Sequence, residues 1–297
     1  MKLLTMSLDT IEPVDYQRYR EIIQVIPGQP TSDGAGVRLT RYIGSHSLPE
    51  LDPFLLLDFF ESDNPADYLA GFPSHPHRGF ETVTHLLAGK MRHEDNAGHS
   101  GVIEAGGVQW MTAGRGIIHS EMPEQENGRL AGFQLWVNLP ASDKLCDPTY
   151  HEYPKDQIPL ENCTQGVDVN VITGVTNYGT TGPVRGVVTK PLYLDISLAP
   201  GMSIKEPIQE GHAGFVFVID GEISIRSDGA SNSVSARQLG VLGAGDVVSI
   251  ESGASRARFL LVAAQILSEP IARYGPFVMN TRAEIEQAIC EFNSGDF

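Results

Sequence analysis

Cysteine and basic residues are both scarce in this chain of 297 residues. Its three cysteines (Cys146, Cys163 and Cys290) are an odd number without C-x-x-C spacing, so we expect reduced thiols in a cytoplasmic protein and no disulfide framework. Only 21 lysines and arginines face 37 acidic residues, which leaves a formal net charge of −16 and no basic run. Because nucleic acids and anionic membranes are bound through clusters of positive charge, this balance argues against direct binding of either.

Long apolar runs are missing as well. No segment approaches the roughly 18 consecutive apolar residues that a membrane-spanning helix needs, and the run at residues 1–8 is too short for a secretion signal. Hydrophobic residues nevertheless make up 41% of the chain, enough for two domain cores of ordinary size. We therefore expect a soluble cytoplasmic protein of two domains.

Short apolar runs, separated by Gly, Pro, Asp and Asn, fill most of the sequence. Residues 37–43, 133–137 and 192–198 are examples, and 31 glycines serve the many tight turns that such a pattern needs. Runs of this length and spacing are typical of an all-β sandwich or barrel.

The two halves of the chain also resemble each other. Residues 87–91 parallel residues 219–223, each a strand end, a glycine turn and a return strand, and residues 103–108 parallel residues 242–247. This repetition predicts a duplicated β-barrel. The segment 174–186, rich in Gly, Thr and Pro, is the best candidate for the connection.

Two short helices are predicted, one at each end of the chain. Residues 15–23 form the first candidate. The second runs from about Arg282 to Phe292, where Thr281 and Glu284 have the spacing of a capping box and the apolar residues fall on one face. We expect this last helix to pack against a barrel.

Two pairs of metal-capable side chains carry the chemistry of the sequence. His75 and His77 are two residues apart, as are His119 and Glu121. On a β-strand this spacing points both side chains to one face, so two such strands side by side would direct three imidazoles and a carboxylate to one point. That ligand set suits Fe(II) and also Zn, Cu, Ni or Mn. Glu81 competes as the carboxylate ligand, and the spacing alone does not choose between Glu81 and Glu121.

The segments around these pairs resemble the pirin family of the cupin superfamily. The resemblance lies in HPHRGFETVT (residues 75–84) and in QWMTAGRGIIHSEMP (residues 109–123), and it extends to LDPFLLLD (residues 51–58) and YGPFVMN (residues 274–280). It implies an all-β fold of two tandem cupin (jelly-roll) β-barrels with a short C-terminal helix. One mononuclear iron is expected in the N-terminal barrel.

The resemblance divides the chain into an N-terminal extension (1–25), a metal-binding barrel (26–178) and a C-terminal barrel with the final helix (179–297). His212 stands where a second metal motif would begin, but Gly214 replaces its partner histidine. We expect the C-terminal barrel to lack a metal.

Pirin ligands map onto His75, His77, His119 and Glu121 of this sequence. The resemblance thus implies Fe(2+) as the cofactor, with other divalent transition metals as alternatives. Glu121 is expected both to ligate and to act as the catalytic base. Glu81 becomes a candidate that orients a ligating imidazole from behind.

Bacterial pirin-like proteins resemble flavonol 2,4-dioxygenases, also called quercetin 2,3-dioxygenases. The resemblance implies a small aromatic flavonol and O₂ as substrates, with ring opening and release of CO, in a pocket walled by Phe54, Phe80 and Met122. The alternative is a non-enzymatic, iron-dependent redox-sensing regulator that acts through a protein partner, with Arg78 and Arg115 on the binding patch.

Three further histidines follow no metal-binding spacing. His85 is expected to be a core or subunit-facing residue. His93 and His99 lie in a polar stretch that predicts an exposed hairpin.

Overall fold

The computed structural model describes residues 18–125, 127–227 and 230–297, and antiparallel β-sheet makes up most of its regular structure. The first twelve strands are β1 (Ile22–Ile26), β2 (Gln29–Asp33), β3 (Val37–Ile43), β4 (Phe54–Ser62), β5 (Phe72–His77), β6 (Phe80–Ala88), β7 (Lys90–Asp95), β8 (Ser100–Glu104), β9 (Val108–Thr112), β10 (Ile117–Pro123), β11 (Leu130–Asn138) and β12 (Thr149–Tyr153).

The elements that follow are β13 (Leu160–Thr164), β14 (Val167–Thr173), β15 (Leu192–Leu198), β16 (Ser203–Pro207), β17 (His212–Asp220), β18 (Glu222–Ser227), β19 (Ala230–Ser235), β20 (Leu239–Leu242), β21 (Val247–Ser252), β22 (Ala257–Gln265), β23 (Ala272–Tyr274), β24 (Phe277–Met279) and the helix α1 (Arg282–Ser294). Within the described residues, no helix is long and apolar enough to cross a membrane.

Each half of the chain builds a large and a small sheet, which together form a barrel. The first barrel has a seven-stranded sheet (β12-β9-β6-β11-β4-β3-β2) and a four-stranded sheet (β5-β10-β7-β8). The second repeats the plan with β1-β20-β17-β22-β15-β14-β13 and β16-β21-β18-β19. The predicted all-β fold of two tandem cupin barrels with one C-terminal helix is confirmed.

The two large sheets pack against each other through an aromatic core. Phe217 of the second barrel contacts Tyr42 and Phe133 of the first, with ring centroids 4.8 and 4.9 Å apart. Phe54 and Phe215 form a further edge-to-face pair across the same interface, at 5.2 Å. These rings belong to one buried hydrophobic cluster that takes residues from both barrels, so the barrels share a core.

The N-terminal end of the described chain pairs with the second barrel. Tyr19 forms a bridge to Val247, and β1 pairs with β20. The predicted helix at residues 15–23 is therefore wrong for residues 18–23, while residues 15–17 lie outside the described residues. The physical reason is that β20 offers a free edge of backbone hydrogen-bonding groups, and the β-branched Ile22, Ile23 and Ile26 suit a strand.

Strand pairing also bears on the predicted domain boundary between residues 178 and 179. β13 and β14 precede that boundary, yet they join β15 in the large sheet of the second barrel. The predicted connecting segment, 174–186, lies between β14 and β15 and contains only isolated bridges. Val184 of this segment is buried in the core between the barrels, so the segment is packed in place.

The C-terminal helix α1 begins as the sequence predicted, at a capping box. The Thr281 hydroxyl oxygen accepts the Glu284 amide N–H at 3.3 Å, and the Glu284 carboxylate accepts the Thr281 amide N–H at 2.8 Å. Its buried residues Ile285 and Ala288 pack with Phe277 of β24. The helix thereby supports the segment 272–279, which lies against the first barrel beside the β5–β6 turn.

Gly79 makes the turn between β5 and β6 extremely tight. Its φ is +85°, and a Cβ at this position would lie 2.0 Å from the Val278 carbonyl oxygen. The amide N–H of Gly79 donates to the Gly114 carbonyl at 2.8 Å. Only glycine fits at this position. The turn also interrupts the strand, so the in-and-out alternation of side chains along β5 does not continue in the same phase along β6.

Candidate metal centre

Three of the histidines singled out in the sequence come together in the first barrel. His75 and His77 end β5, and His119 lies on β10 directly opposite His75. The ligand atoms of the three rings all lie within 4.8 Å of one another, and the Nε2 atoms of His75 and His77 are 2.9 Å apart. Alternate residues of paired strands share a face, which is why the spacing in the sequence becomes a cluster in space.

All three imidazoles are held in their neutral form. Burial is the largest cause: it lowers the pKa of His75, and it lowers those of His77 and His119 further below the ordinary value, with help from neighbouring rings. His75 Nδ1 lies 2.8 Å from the Pro73 carbonyl oxygen, so this nitrogen carries the proton and Nε2 keeps its lone pair. Buried His119 has no hydrogen bond at either ring nitrogen. Unpaired neutral nitrogens that converge in this way fit a divalent transition metal.

The fourth predicted ligand, Glu121, lies near the three rings but outside their cluster of ligand atoms. The pairing of β10 with β5 shifts between His119 and Glu121, and the Glu121 carboxylate accepts a hydrogen bond from the Thr84 hydroxyl at 2.8 Å. Burial raises the pKa of Glu121 to about 7, although the Thr84 hydrogen bond opposes this rise. Glu121 lines the same cavity as His75 and His77. Its ligation of a metal stays a prediction.

Thr84 holds the Glu121 carboxylate and is itself held by Gln134, and no sequence pattern singles out either residue. Thr84 Oγ1 lies 2.8 Å from Glu121 Oε1 and 2.7 Å from the Gln134 side-chain oxygen. A hydroxyl has one proton, so when Thr84 donates to Glu121 the Gln134 amide turns to donate its NH₂ to Thr84. Thr84 is a β-branched residue in a β-strand. Such residues are common in strands, so nothing in the sequence pattern indicates its contact with Glu121.

His93 is buried beside Glu121, and its predicted exposure is wrong. It lies on β7 opposite Glu121, with Nδ1 3.4 Å from Oε1, and its exposed fraction is 0%. Burial lowers the pKa of His93 to about 3, so the ring is neutral and the contact is not an ion pair. The alternation with buried Met91 two residues earlier was the signal that could have revealed it.

Glu81 does not lie beside the histidines. Along β6, Phe80 and Thr84 face the metal centre, whereas Glu81 and Val83 face the second barrel. The sequence prediction gave Glu81 the parity of His77, and that is wrong because the turn at Gly79 interrupts the alternation. Glu81 is therefore neither near enough to ligate nor placed to orient a ligating ring.

A cavity of about 600 Å³ opens beside the three histidines. Its apolar wall includes Leu56, Phe60, Phe72 and Trp136, and Arg273 lies at its edge with the guanidinium carbon 4.7 Å from the Trp136 ring centre. The ring centres of Trp136 and His77 are 5.2 Å apart. An aromatic molecule in this cavity would lie against Trp136 and within reach of the histidines.

None of the three predicted wall residues lines the cavity, although the ring of Phe80 lies 5.1 Å from that of His77. Phe54 packs between the barrels against Phe215, and Met122 is not among the residues that line the cavity. The sequence missed Trp136, whose position on β11 brings it to the cavity from another part of the chain.

The remaining predicted residues divide between buried and exposed positions. His85 is a core residue between the barrels, as predicted, with Nδ1 3.2 Å from the Tyr193 hydroxyl, and His99 is exposed and pairs with Asp95. Arg78 is buried under α1, where it pairs with Glu291 at 2.6 Å, whereas Arg115 is exposed and pairs with Asp147. Buried Arg78 offers no surface to a protein partner.

Comparison with known proteins agrees with this architecture. The family model described as Pirin matches residues 36–137, and the one described as Pirin C-terminal cupin domain matches residues 193–297. A pirin-like protein of Caulobacter vibrioides is 49% identical over 278 residues, covering 94% of this chain and 99% of that protein. A putative quercetin 2,3-dioxygenase of Pseudomonas aeruginosa is 47% identical (94% and 98% covered), and human pirin is 45% identical (89% of each).

Solved structures share the same fold. The crystal structure of quercetin 2,3-dioxygenase from Acinetobacter baumannii superimposes with a TM-score of 0.84 at 32% identity, covering 94% of this chain and 98% of that one. The bacterial pirin YhhW of Escherichia coli, solved in complex with nickel(II), gives a TM-score of 0.62 at 17% identity, covering 82% and 98%. The latter similarity concerns the fold alone.

Proposed function

Because this chain belongs to the pirin family, we propose that its first barrel holds one divalent iron and cleaves a flavonol with O₂. The observation that carries the proposal is the convergence of three neutral imidazoles, two of them buried, beside an aromatic-walled cavity. The choice of a flavonol is supported by a relative named putative quercetin 2,3-dioxygenase, at 47% identity, and by the solved structure of a quercetin 2,3-dioxygenase, at 32% identity.

His75, His77 and His119 would hold the iron, with Glu121 as the fourth ligand. Glu121 follows His119 by two residues on the same strand, and it lines the same cavity as His75 and His77. A bound iron would polarise a flavonol oxygen and supply the one-electron chemistry that O₂ requires. The ligand set also accommodates Zn, Ni, Cu and Mn, so protein geometry alone does not select iron.

The cavity walls would orient the flavonol. Trp136 and Phe72 line the cavity that contains His75 and His77, and both present flat apolar surface to a planar substrate. Stacking there would direct one edge of the flavonol toward the histidines. Burial of the substrate also removes water from the reacting atoms, which strengthens every hydrogen bond made there.

Glu121 would act as the base. With its pKa raised to about 7 by burial, its carboxylate is matched to a proton transfer at neutral pH. It would accept the proton of the flavonol hydroxyl, while the Thr84 hydroxyl, 2.8 Å away, holds the carboxylate in place. O₂ then enters the ring, and its two oxygen atoms remain in the opened product while one carbon leaves as CO.

The test is turnover by iron-loaded protein. The full chain is loaded with Fe(II) without oxygen, mixed with quercetin and exposed to O₂, while flavonol absorbance and released CO are followed. We expect bleaching with one CO per flavonol, and neither signal from His119→Ala protein after the same treatment. A fully iron-loaded sample that leaves quercetin intact would refute the dioxygenase function.

A further inference from the structure

A second cavity, of about 330 Å³, lies on the opposite face of the large sheet from the metal centre. Its first wall comes from β6 and β9 of the first barrel, where Glu81, Trp110 and Thr112 line it. Its second wall is the segment Val184–Val188, which connects β14 to β15 of the second barrel. The cavity therefore lies between the two barrels.

An incompletely bonded carboxylate faces this cavity. Glu81 is 3% exposed, and its Oε1 accepts a hydrogen bond from Thr112 Oγ1 at 2.8 Å. Its Oε2 has no hydrogen-bond partner. The indole N–H of Trp110 lies beside this carboxylate and lowers its pKa, but the indole nitrogen makes no hydrogen bond of normal geometry either. A buried carboxylate oxygen left without a donor is unfavourable, so a donor molecule would be stabilised there.

The charges around the cavity favour a positive ligand. Asp143 also lines it, and repulsion between the two carboxylates raises the pKa of Glu81. Asp147, at the same cavity, already pairs with Arg115. Arg185 is the cavity's one lining arginine or lysine among the described residues. A cation that reaches Glu81 would relieve the repulsion between Glu81 and Asp143.

The remaining wall is largely apolar or aromatic, with Cys146, Thr149 and His151 as its further polar residues. Leu139, Tyr153, Val184 and Val187 line the cavity together with Trp110. Aromatic and aliphatic surface around a carboxylate suits an ammonium group that carries a short hydrocarbon chain. A bare metal ion fits less well, because no group of three metal-capable side chains forms here among the described residues.

We propose that this cavity binds a small protonated amine, with the Glu81 carboxylate as its counter-ion and hydrogen-bond acceptor. The site is separate from the metal centre, since Glu81 faces away from the three histidines. It does not depend on the flavonol dioxygenase function.

The chain supplies a built-in reporter for this site. It has two tryptophans, of which Trp110 lines the amine cavity and Trp136 lines the metal cavity. In Trp136→Phe protein, tryptophan fluorescence therefore reports on Trp110 alone. The experiment titrates this protein with propylammonium chloride at pH 8 and constant ionic strength, and with 1-propanol as the neutral probe of similar size.

We expect a saturable change of Trp110 fluorescence with propylammonium and none with 1-propanol. Adding Glu81→Gln should weaken propylammonium binding about tenfold or more, because a charge-assisted hydrogen bond is lost. Glu206→Gln is the matched control: Glu206 is equally buried but lies in the second barrel outside the cavity, so affinity should not change.

The proposal is overturned by the absence of a saturable change, by equal responses to propylammonium and 1-propanol, or by unchanged affinity in the folded Glu81→Gln variant. The first outcome would mean that neither probe enters the cavity, and the other two would mean that binding there does not use the Glu81 charge. If the Glu81→Gln variant does not fold, the comparison of the two probes in the Trp136→Phe protein decides, together with an expected loss of affinity in Asp143→Asn.

Discussion

At the scale of single residues, the centre depends on two imidazoles that are buried without full hydrogen bonding, those of His77 and His119. His119 has no partner at either ring nitrogen, and its pKa is depressed by burial and by the neighbouring rings. Unpaired buried nitrogens destabilise a folded protein by about 1–3 kcal/mol each. We infer that metal binding offsets this cost, as it does wherever a site's ligands are assembled by the fold.

The choice of carboxylate is open to direct measurement. We expect Glu121→Gln to weaken Fe(II) binding by about tenfold or more, because a charged oxygen near the three rings is lost. Glu81→Gln should leave binding within about twofold of the parent, since Glu81 lies on the other face of the sheet. Bound iron after dialysis against a chelator checks both, and retained iron in Glu121→Gln with loss in Glu81→Gln would reverse the assignment.

Glu206 supplies a prediction about pH. Burial, aided by Glu161, raises its pKa to about 7 in the folded protein, against an ordinary value of 4.5. Between pH 4.5 and pH 7 the unfolded chain therefore loses this proton while the folded chain keeps it. The contribution of Glu206 to stability is full below about pH 4.5 and is lost as pH rises to about 7.

The variant Glu206→Gln removes this titration. Its free energy of unfolding, measured with urea against that of the parent, should improve by about 2–3 kcal/mol between pH 5 and pH 8. The difference between the two proteins cancels the other titrating groups, including the buried histidines. A difference that stays constant across this range would show that Glu206 is not protonated in the folded state.

The sequence was sufficient to predict the histidine cluster but not its surroundings. His75 and His77 could be placed on one face because their i, i+2 spacing fixes their direction on a strand. His119 joins them through the pairing of β10 with β5, which the resemblance to the pirin family implied.

Thr84 reaches Glu121 because β6 of the large sheet faces β10 of the small sheet inside the barrel, and such packing between sheets is a long-range property. His93 was mistaken for an exposed residue because its polar neighbours hid its alternation with Met91.

At the scale of elements, the β5–β6 turn determines which residues face the metal centre. We expect Gly79→Ala to cost more than about 3 kcal/mol in stability and to reduce iron binding, because a methyl group cannot fit against Val278 and the φ is unfavourable. Gly275→Ala is the matched control, with φ +53° and open space around it, and should cost about 1 kcal/mol. Thermal melting and iron content measure both effects. Equal losses in the two variants would contradict this account of the turn.

The two predicted helices show what local sequence can and cannot determine. The helix α1 was predicted correctly because its capping box lies within four residues and its apolar face is periodic. The N-terminal prediction failed over residues 18–23 because the decisive partner, the free edge of β20, is more than 200 residues away. Buried Arg20 fastens the same segment through hydrogen bonds to the carbonyls of Gly245 and His212, each at 2.9 Å.

At the scale of the whole molecule, two features join the barrels into one structure. They share a hydrophobic core, and β1, which precedes the first barrel in the chain, pairs with β20 of the second. Phe217 lies in the second barrel and packs on Phe59 and Phe133 of the first, while both tryptophans belong to the first barrel. We expect Phe217→Ala to lower stability by about 3–5 kcal/mol and to shift the tryptophan fluorescence transition together with the circular dichroism transition. A shift of circular dichroism alone would show that the barrels unfold independently.

The duplication itself could be predicted from the repeated strand–glycine–strand segments, since each barrel needs the same turns at the same places. The contacts between the barrels could not. β1, β13 and β14 pair within the second barrel because its sheet edges remain free when both barrels close. Which edges remain free cannot be predicted from the sequence near these strands.

Isotope labelling can show whether the three-histidine site cleaves a flavonol with O₂, as proposed. Fe(II)-loaded protein is given quercetin and ¹⁸O₂ in ordinary water, and the organic product is analysed by mass spectrometry. We expect two ¹⁸O atoms in the opened product, unlabelled CO, and no such product with His119→Ala protein. Loss of quercetin without incorporation of both atoms, or at the same rate with His119→Ala protein, would contradict the proposal.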